Sequence, residues 1–153
     1  MSSILIVCSA NQCRSPIAAA LLQRQLDTLS LNENWRVESA GTWAMDGKPA
    51  DPTMQVVAIE WGIDLSKHRS RSVTAELLAD FDLILTVERG QKEALQAEFP
   101  AHFGRIHLFT EMVGVRYDIP DPSGQTPEAY RRTVRELDRL IQHGAPRLRE
   151  MMT

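Results

Sequence analysis

The sequence predicts a three-layer α/β domain on a parallel sheet, and three observations carry that reading. Strand-like and helix-like segments alternate along the chain, the pattern that helices make when right-handed crossovers lay them on both faces of a parallel sheet. The first apolar segment, Ile4-Leu5-Ile6-Val7, is continuous and rich in β-branched residues, as a strand buried on both faces requires. At 153 residues the chain predicts one domain, residues 1–153, able to bury about 70% of its unfolded surface without disulfides or a structural metal. Apolar residues make up 43%, and glycine lifts that to an ordinary globular value, which argues against disorder.

Taken in order, the first strand runs into Cys8, a polar stretch from Ser9 to Arg14 follows, and Ser15-Pro16 reads as an N-cap with proline at the first helical position. In the helix that begins there, Ile17, Ala18, Leu21, Leu22, Leu26 and Leu29 keep the 3.6 period and should face the sheet. Trp35 to Ala40 predicts a second strand, Gly41 to Pro52 a loop, and Thr53 to Trp61 a helix stopped by Gly62. Asp82 to Val87 is a third strand, Arg89 to Phe99 a helix, and Arg105 to Phe109 a fourth strand. A long helix starts near Pro127, with Tyr130, Val134, Leu137, Ile141 and Leu148 on its buried face. No repeat, low-complexity tract or linker interrupts this order.

The charge balance of −3, with basic residues scattered, gives no footprint for nucleic acid or a membrane surface. The first apolar run, Ile4 to Cys8, is far too short to span a bilayer, and no basic residue precedes Arg14 to form a signal-peptide n-region. A cytoplasmic protein is therefore expected. Two cysteines five positions apart make no disulfide framework and, in a reducing compartment, are thiols with a task or packing residues.

Cys8 to Ser15 is where chemistry is expected. In a parallel α/β sheet ligands sit beyond the carboxyl ends of the strands, where helix N-termini point free N–H groups. A thiol in that field is biased toward the thiolate. Arg14 adds a fork that can hold two phosphate oxygens, while backbone N–H groups complete the cradle. A cysteine with an arginine six residues on is weak as spacing alone; its position at the first strand-to-helix turn gives it weight. The bland alternative is Cys8 as a small buried hydrophobe. Asp121, between Pro120 and Pro122, stands where the chain is stiff and helix is barred; by itself it could merely open a turn ending at Gly124. Ser15 could be only an N-cap and Asn11 only a residue that tolerates a left-handed turn.

Val7-Cys8-Ser9-Ala10-Asn11-Gln12-Cys13-Arg14-Ser15-Pro16 resembles the active-site loop of the low-molecular-weight protein tyrosine phosphatases. The likeness continues through Glu38 to Thr42, Gly62-Ile63-Asp64 with His68 to Arg71, Asp82 to Leu85, and Ile119-Pro120-Asp121-Pro122. It implies a four-stranded parallel sheet and hydrolysis of phosphate monoesters, phosphotyrosine on proteins above all, without metal or cofactor. It further implies that Cys8 attacks phosphorus and that Arg14 and the loop from Ser9 through Ala10, Asn11, Gln12 and Cys13 to Ser15 hold the phosphate or another oxyanion. Asp121 would be the general acid and then base, with Asp118 as its understudy. Asn11, Ser15, Ser39 and His68 match positions that brace the loop, and Cys13 matches a second cysteine placed to capture an oxidised Cys8.

Three positions depart from the family pattern. Ala10 replaces the usual glycine and would be strained at positive φ; Gln12 replaces an apolar or small residue facing the substrate; Ser123 stands where an aromatic often stacks on the substrate ring. Trp43 is the expected substitute wall. Gln12 could instead hydrogen-bond a guanidinium, which makes phosphoarginine the competing substrate. Thiol-dependent arsenate reductases share the scaffold, but those with an internal relay use a third cysteine, and this chain has two. A zinc site from Cys8, Cys13, His102 and His107 is disfavoured by the arginine beside the ligands.

Overall fold

A computed structural model describes residues 1–29 and 33–152. Four strands, β1 (Ser2–Cys8), β2 (Trp35–Gly41), β3 (Leu83–Thr86) and β4 (Ile106–Leu108), form one sheet in the order β2-β1-β3-β4. Every neighbouring pair is parallel. The helices are α1 (Arg14–Leu29), α2 (Pro52–Glu60), α3 (Ala75–Ala79), α4 (Arg89–Glu98), α5 (Pro127–Gly144) and α6 (Leu148–Met151).

β1 lies at the centre, and its side chains divide the core by alternation. Ile4, Ile6 and Cys8 join the layer formed with α1, α2 and α5, where Ile17, Leu22, Met54, Tyr130 and Val134 pack. Leu5 and Val7 point the other way, into Leu78 of α3, Ile84 of β3, Leu95 of α4 and Ile106 of β4. Two apolar layers flank one sheet, so a run of β-branched residues with no polar interruption is what a central strand needs.

Several boundaries differ from the sequence expectation. α1 begins at Arg14, so Ser15 lies inside the first turn and is not the N-cap; its hydroxyl is used by the site instead. Leu29, expected on the buried stripe, is 46% exposed at the helix end. α2 starts at Pro52 because the Asp51 side chain caps it, accepting from Thr53 N and Met54 N. α3 escapes periodicity because five residues hold little more than one turn; Thr74 caps it by accepting from Leu77 N. Leu148 is buried as expected, but in α6, after α5 ends at Gly144 and a short 3-10 turn containing Pro146 intervenes. Among the described residues no helix is long and apolar enough to cross a membrane.

Candidate active site

The end of β1 delivers Cys8 to the carboxyl edge of the sheet, and the chain then wraps into the loop that opens α1. The loop's carbonyls turn outward. Cys8 O accepts from Thr42 N at 2.9 Å, Ser9 O from Trp43 N at 3.0 Å, and Gln12 O from Asp51 N at 2.7 Å. Asn11 O accepts from His68 Nε2 at 2.7 Å. Among the described residues the N–H groups of Ser9 to Cys13 have no protein acceptor, so they remain for a ligand. Cys8, Ser9, Ala10, Gln12, Cys13 and Arg14 line a cleft of about 350 Å³, closed on the far side by Asp51, Pro52, Asp121 and Ser123.

One residue bends the loop. Asn11 sits at φ 58°, the only non-glycine residue with positive φ among the described residues, and is fully buried. Its amide repays the strain: Nδ2 donates to Ser15 Oγ at 2.8 Å and Ser39 Oγ at 2.9 Å, while Oδ1 accepts from Arg71 N at 3.0 Å. Ala10, feared to carry that strain, does not; the left-handed turn falls one residue later, on a side chain suited to it.

Because Ser15 Oγ already accepts from Asn11, its single proton is available to the Cys8 sulfur, 3.0 Å away, or to Ala40 O at 3.4 Å. Sulfur is the larger atom and the closer one, so the hydroxyl serves Cys8. The four residues expected to brace the loop, Asn11, Ser15, Ser39 and His68, thus belong to one network. His68 is held toward its neutral form by burial, which suits an Nε2–H that donates to Asn11 O.

Arg14 is 2% exposed and anchored on one side. Its Nη1 meets Glu88 at 2.5 Å and donates to Ile119 O at 2.6 Å, while Nη2 faces Asp121 at 3.9 Å. The anchored edge fixes the plane of the fork, so ordering it costs little entropy when an oxyanion arrives. Asp121 is half-exposed, with Oδ1 accepting from Ser123 N at 3.0 Å.

Asp118 lies outside this cleft, and its carboxyl is held below the usual range, first by the Arg89 backbone N–H at 2.8 Å and then by the Arg89 guanidinium. A carboxyl that prefers its charge is a poor proton donor, so Asp118 is no understudy. Trp43 is 90% exposed and does not line the cleft; its backbone N–H donates to Ser9 O.

Four contributors escaped the sequence reading. Glu88 pairs with Arg14; Gln91 holds Ser9 Oγ through Nε2 at 3.0 Å while its Oε1 accepts from Glu88 N. Asp51 accepts from the Tyr130 hydroxyl at 2.8 Å, and that hydroxyl accepts from Gly124 N at 3.2 Å, three residues after Asp121. Only Asp51-Pro52 carried a local signal, and it was one for a helix cap.

A loop of unspent amides around a strand-end cysteine, with a buried arginine and a facing aspartate, is a cradle built for an oxyanion such as a phosphate. The family model for low molecular weight phosphotyrosine protein phosphatase matches residues 3–152, and the chain belongs to that family. A probable low molecular weight protein-tyrosine-phosphatase, EpsP, of Ralstonia nicotianae is 36% identical over 151 residues, covering 99% of each chain. Among solved structures, Wzb of Vibrio vulnificus in complex with benzylphosphonate is 37% identical with a TM-score of 0.86, covering 95% of this chain and 97% of that one. The arginine phosphatase YwlE, solved as a cysteine-to-serine mutant with a phosphorylated active-site serine, is 30% identical with a TM-score of 0.90, covering 97% and 96%.

Proposed function

We propose that the chain hydrolyses phosphotyrosine on proteins through a cysteinyl-phosphate on Cys8. The observation that carries this is the placement of Cys8 in a cleft-lining loop whose Cys8, Ser9, Asn11 and Gln12 carbonyls are tied to surrounding segments and whose amides are unspent. The cysteine thiolate attacks phosphorus in line, the S–P bond forms as the P–O bond to the phenol breaks, and Asp121 gives its proton to the leaving oxygen. Water then attacks phosphorus as Asp121 takes a proton, breaking the S–P bond and releasing phosphate. The loop amides and Arg14 hold the equatorial oxygens through both steps, an electrostatic contribution made by groups already in position. The phosphoserine reported for the YwlE mutant supports covalent transfer to the side chain at that position of the fold. No metal or cofactor has a part in these steps. Both cysteines are unpaired, and a nucleophilic thiol is best kept in the reducing cytoplasm, where we place the protein.

The deciding experiment is hydrolysis of an aryl phosphate, with chelator present, by wild type, Cys8→Ser and Arg14→Lys. Cys8→Ser loses turnover yet still binds phosphate; retained turnover would sink the assignment. Arg14→Lys is severely impaired because a point charge cannot replace the fork. Asp121→Asn lowers kcat by about 10² to 10⁴, most for poor leaving groups, as loss of a general acid does. Equal losses across a leaving-group series would make Asp121 structural.

Phosphoarginine is the second reading, and Gln12 is the observation that favours it. Its Nε2 donates to Pro49 O at 3.0 Å, which leaves Oε1 as an acceptor at the cleft wall for a guanidinium N–H. Comparing kcat/KM on phosphotyrosine, phosphoarginine and phosphoserine peptides separates the two; preference for phosphoarginine would change the substrate and leave Cys8, Arg14 and Asp121 in their roles.

A further inference from the structure

A cleft of about 530 Å³ lies outside the Cys8 site. It runs between the segment 117–122 and α5, and its apolar lining comes from Tyr117, Pro120, Pro122 and Ala129. Asp121 lines both this groove and the Cys8 cleft, so only the acid loop separates the two. The prolines on either side of Asp121 stiffen that divide and keep the groove from collapsing. A polypeptide whose phosphorylated residue enters the Cys8 cleft meets the groove within a few residues of the phosphate.

The charges around the groove are spent, with one exception. Asp118 holds Arg89 at 3.2 Å. Glu136 accepts from the Tyr117 hydroxyl and from Arg139. Glu128, the acid one turn before Arg132, is taken by Arg131 and Arg135. Arg132 is exposed on the groove wall; its charge, after those of Arg135 and Arg131, helps hold the Glu128 carboxyl low, yet alone among the arginines it makes no hydrogen bond or ion pair among the described residues. A guanidinium fork with its N–H donors unspent beside an apolar floor suits a carboxylate carried on an extended chain.

We propose that this groove docks the residues flanking the phosphorylated side chain of a protein substrate, and that Arg132 pairs with an acidic residue there. Arg132 is then a specificity-determining residue outside the reacting centre, and the preferred substrate is an acidic phosphopeptide. The proposal rests on the reading of Cys8 as the phosphate-accepting nucleophile.

The test uses phosphotyrosine peptides of one sequence, with Glu, Gln or Lys moved through the four residues on each side of the phosphotyrosine. An aryl phosphate too small to reach the groove serves as the reference. In wild type, Glu at one flank should raise kcat/KM about two- to fivefold over Gln at the same place, the worth of an exposed ion pair, chiefly through KM. Lys there should lower it. Arg132→Gln should erase the charge preference while aryl phosphate turnover stays unchanged; glutamine avoids stacking a third carboxylate between Glu128 and Glu136 on the helix. Absence of any charge preference in wild type, or its survival in Arg132→Gln, overturns the groove while intact aryl turnover leaves the catalytic reading standing. Failure of wild type to turn over the aryl phosphate overturns both.

Discussion

Asn11 and Cys13 sit two residues apart in the same loop and answer to opposite demands. Asn11 accepts a left-handed backbone, costing about 1–2 kcal/mol, and spends its amide on Ser15, Ser39 and Arg71, so the loop is shaped before any ligand arrives. Cys13 is 6% exposed, and its thiol is pushed up to about 12, first by burial and then by the Asp51 carboxylate. It is therefore protonated at neutral pH. If peroxide converts Cys8 to a sulfenic acid, trapping requires the Cys13 thiolate to displace hydroxide from that sulfur. The thiolate fraction grows about tenfold per pH unit everywhere below 12, so capture should quicken as pH rises. Peptide mass spectrometry after peroxide at pH 6.5 and 8.5 should find the Cys8–Cys13 disulfide mostly at the higher pH. Over the same interval, Cys13→Ser should fall behind wild type in activity recovered by dithiothreitol. A disulfide yield that ignores pH would show that the Cys13 thiolate fraction does not limit capture, and no Cys8–Cys13 disulfide at either pH would show that Cys13 is not the trap.

At the scale of the element, strands and helices position the site through their ends. β2 terminates at Gly41, where a Cβ would lie 2.4 Å from Ser9 O and 2.9 Å from Ala44 Cβ. The absent side chain lets the second strand pass close against the phosphate loop, and Gly41 N and O are tied to Arg71 O and Val73 N. Gly41→Ala should cost about 1–3 kcal/mol of stability, the usual toll of overpacking, and should also displace Ser9 and weaken phosphate binding. Thermal unfolding with and without phosphate measures both, and a variant with wild-type phosphate affinity would show that the loop can yield. Elements far from the loop were easier to foresee, since all four residues of β3 are buried and β4 buries Ile106 and Leu108, residues that pair and pack.

Across the whole molecule, the acid loop is held by residues far apart in sequence. The Tyr130 hydroxyl on α5 donates to Asp51 Oδ2 and accepts from Gly124 N, while Asp51 Oδ1 caps α2. The tyrosine proton is held tightly, pushed up to about 12 by burial and by Asp51. This bridge ties the end of the Asp121 loop to the wall of the catalytic cleft. Tyr130→Phe keeps the ring in the core and removes only the hydroxyl, so the fold should survive while the acid is less well placed. Its kcat should fall more for unactivated than for activated aryl esters, with little change in KM. A uniform loss, or none, would mean that Tyr130 acts only in packing.

What the sequence by itself determined was everything carried by local pattern. A continuous apolar run rich in β-branched residues, a polar loop with a cysteine at its head, apolar residues at helical spacing and an aspartate between prolines each depend on neighbours within a few positions, and each stands in the structure where it was read except Leu29, exposed at the end of α1, and Leu148, which belongs to α6. Tertiary structure decided which way side chains look once elements meet. Ser15 left the helix cap for the sulfur, Trp43 turned to solvent, Asp118 went to Arg89, and Arg14 found Glu88 and Ile119 O, the latter 105 residues away. Such pairings follow from the strand order β2-β1-β3-β4, which brings four loops to one edge of the sheet. Sequence period records burial and conformation, whereas a hydrogen bond between distant loops leaves no period, so those partners exist only when the sheet has closed.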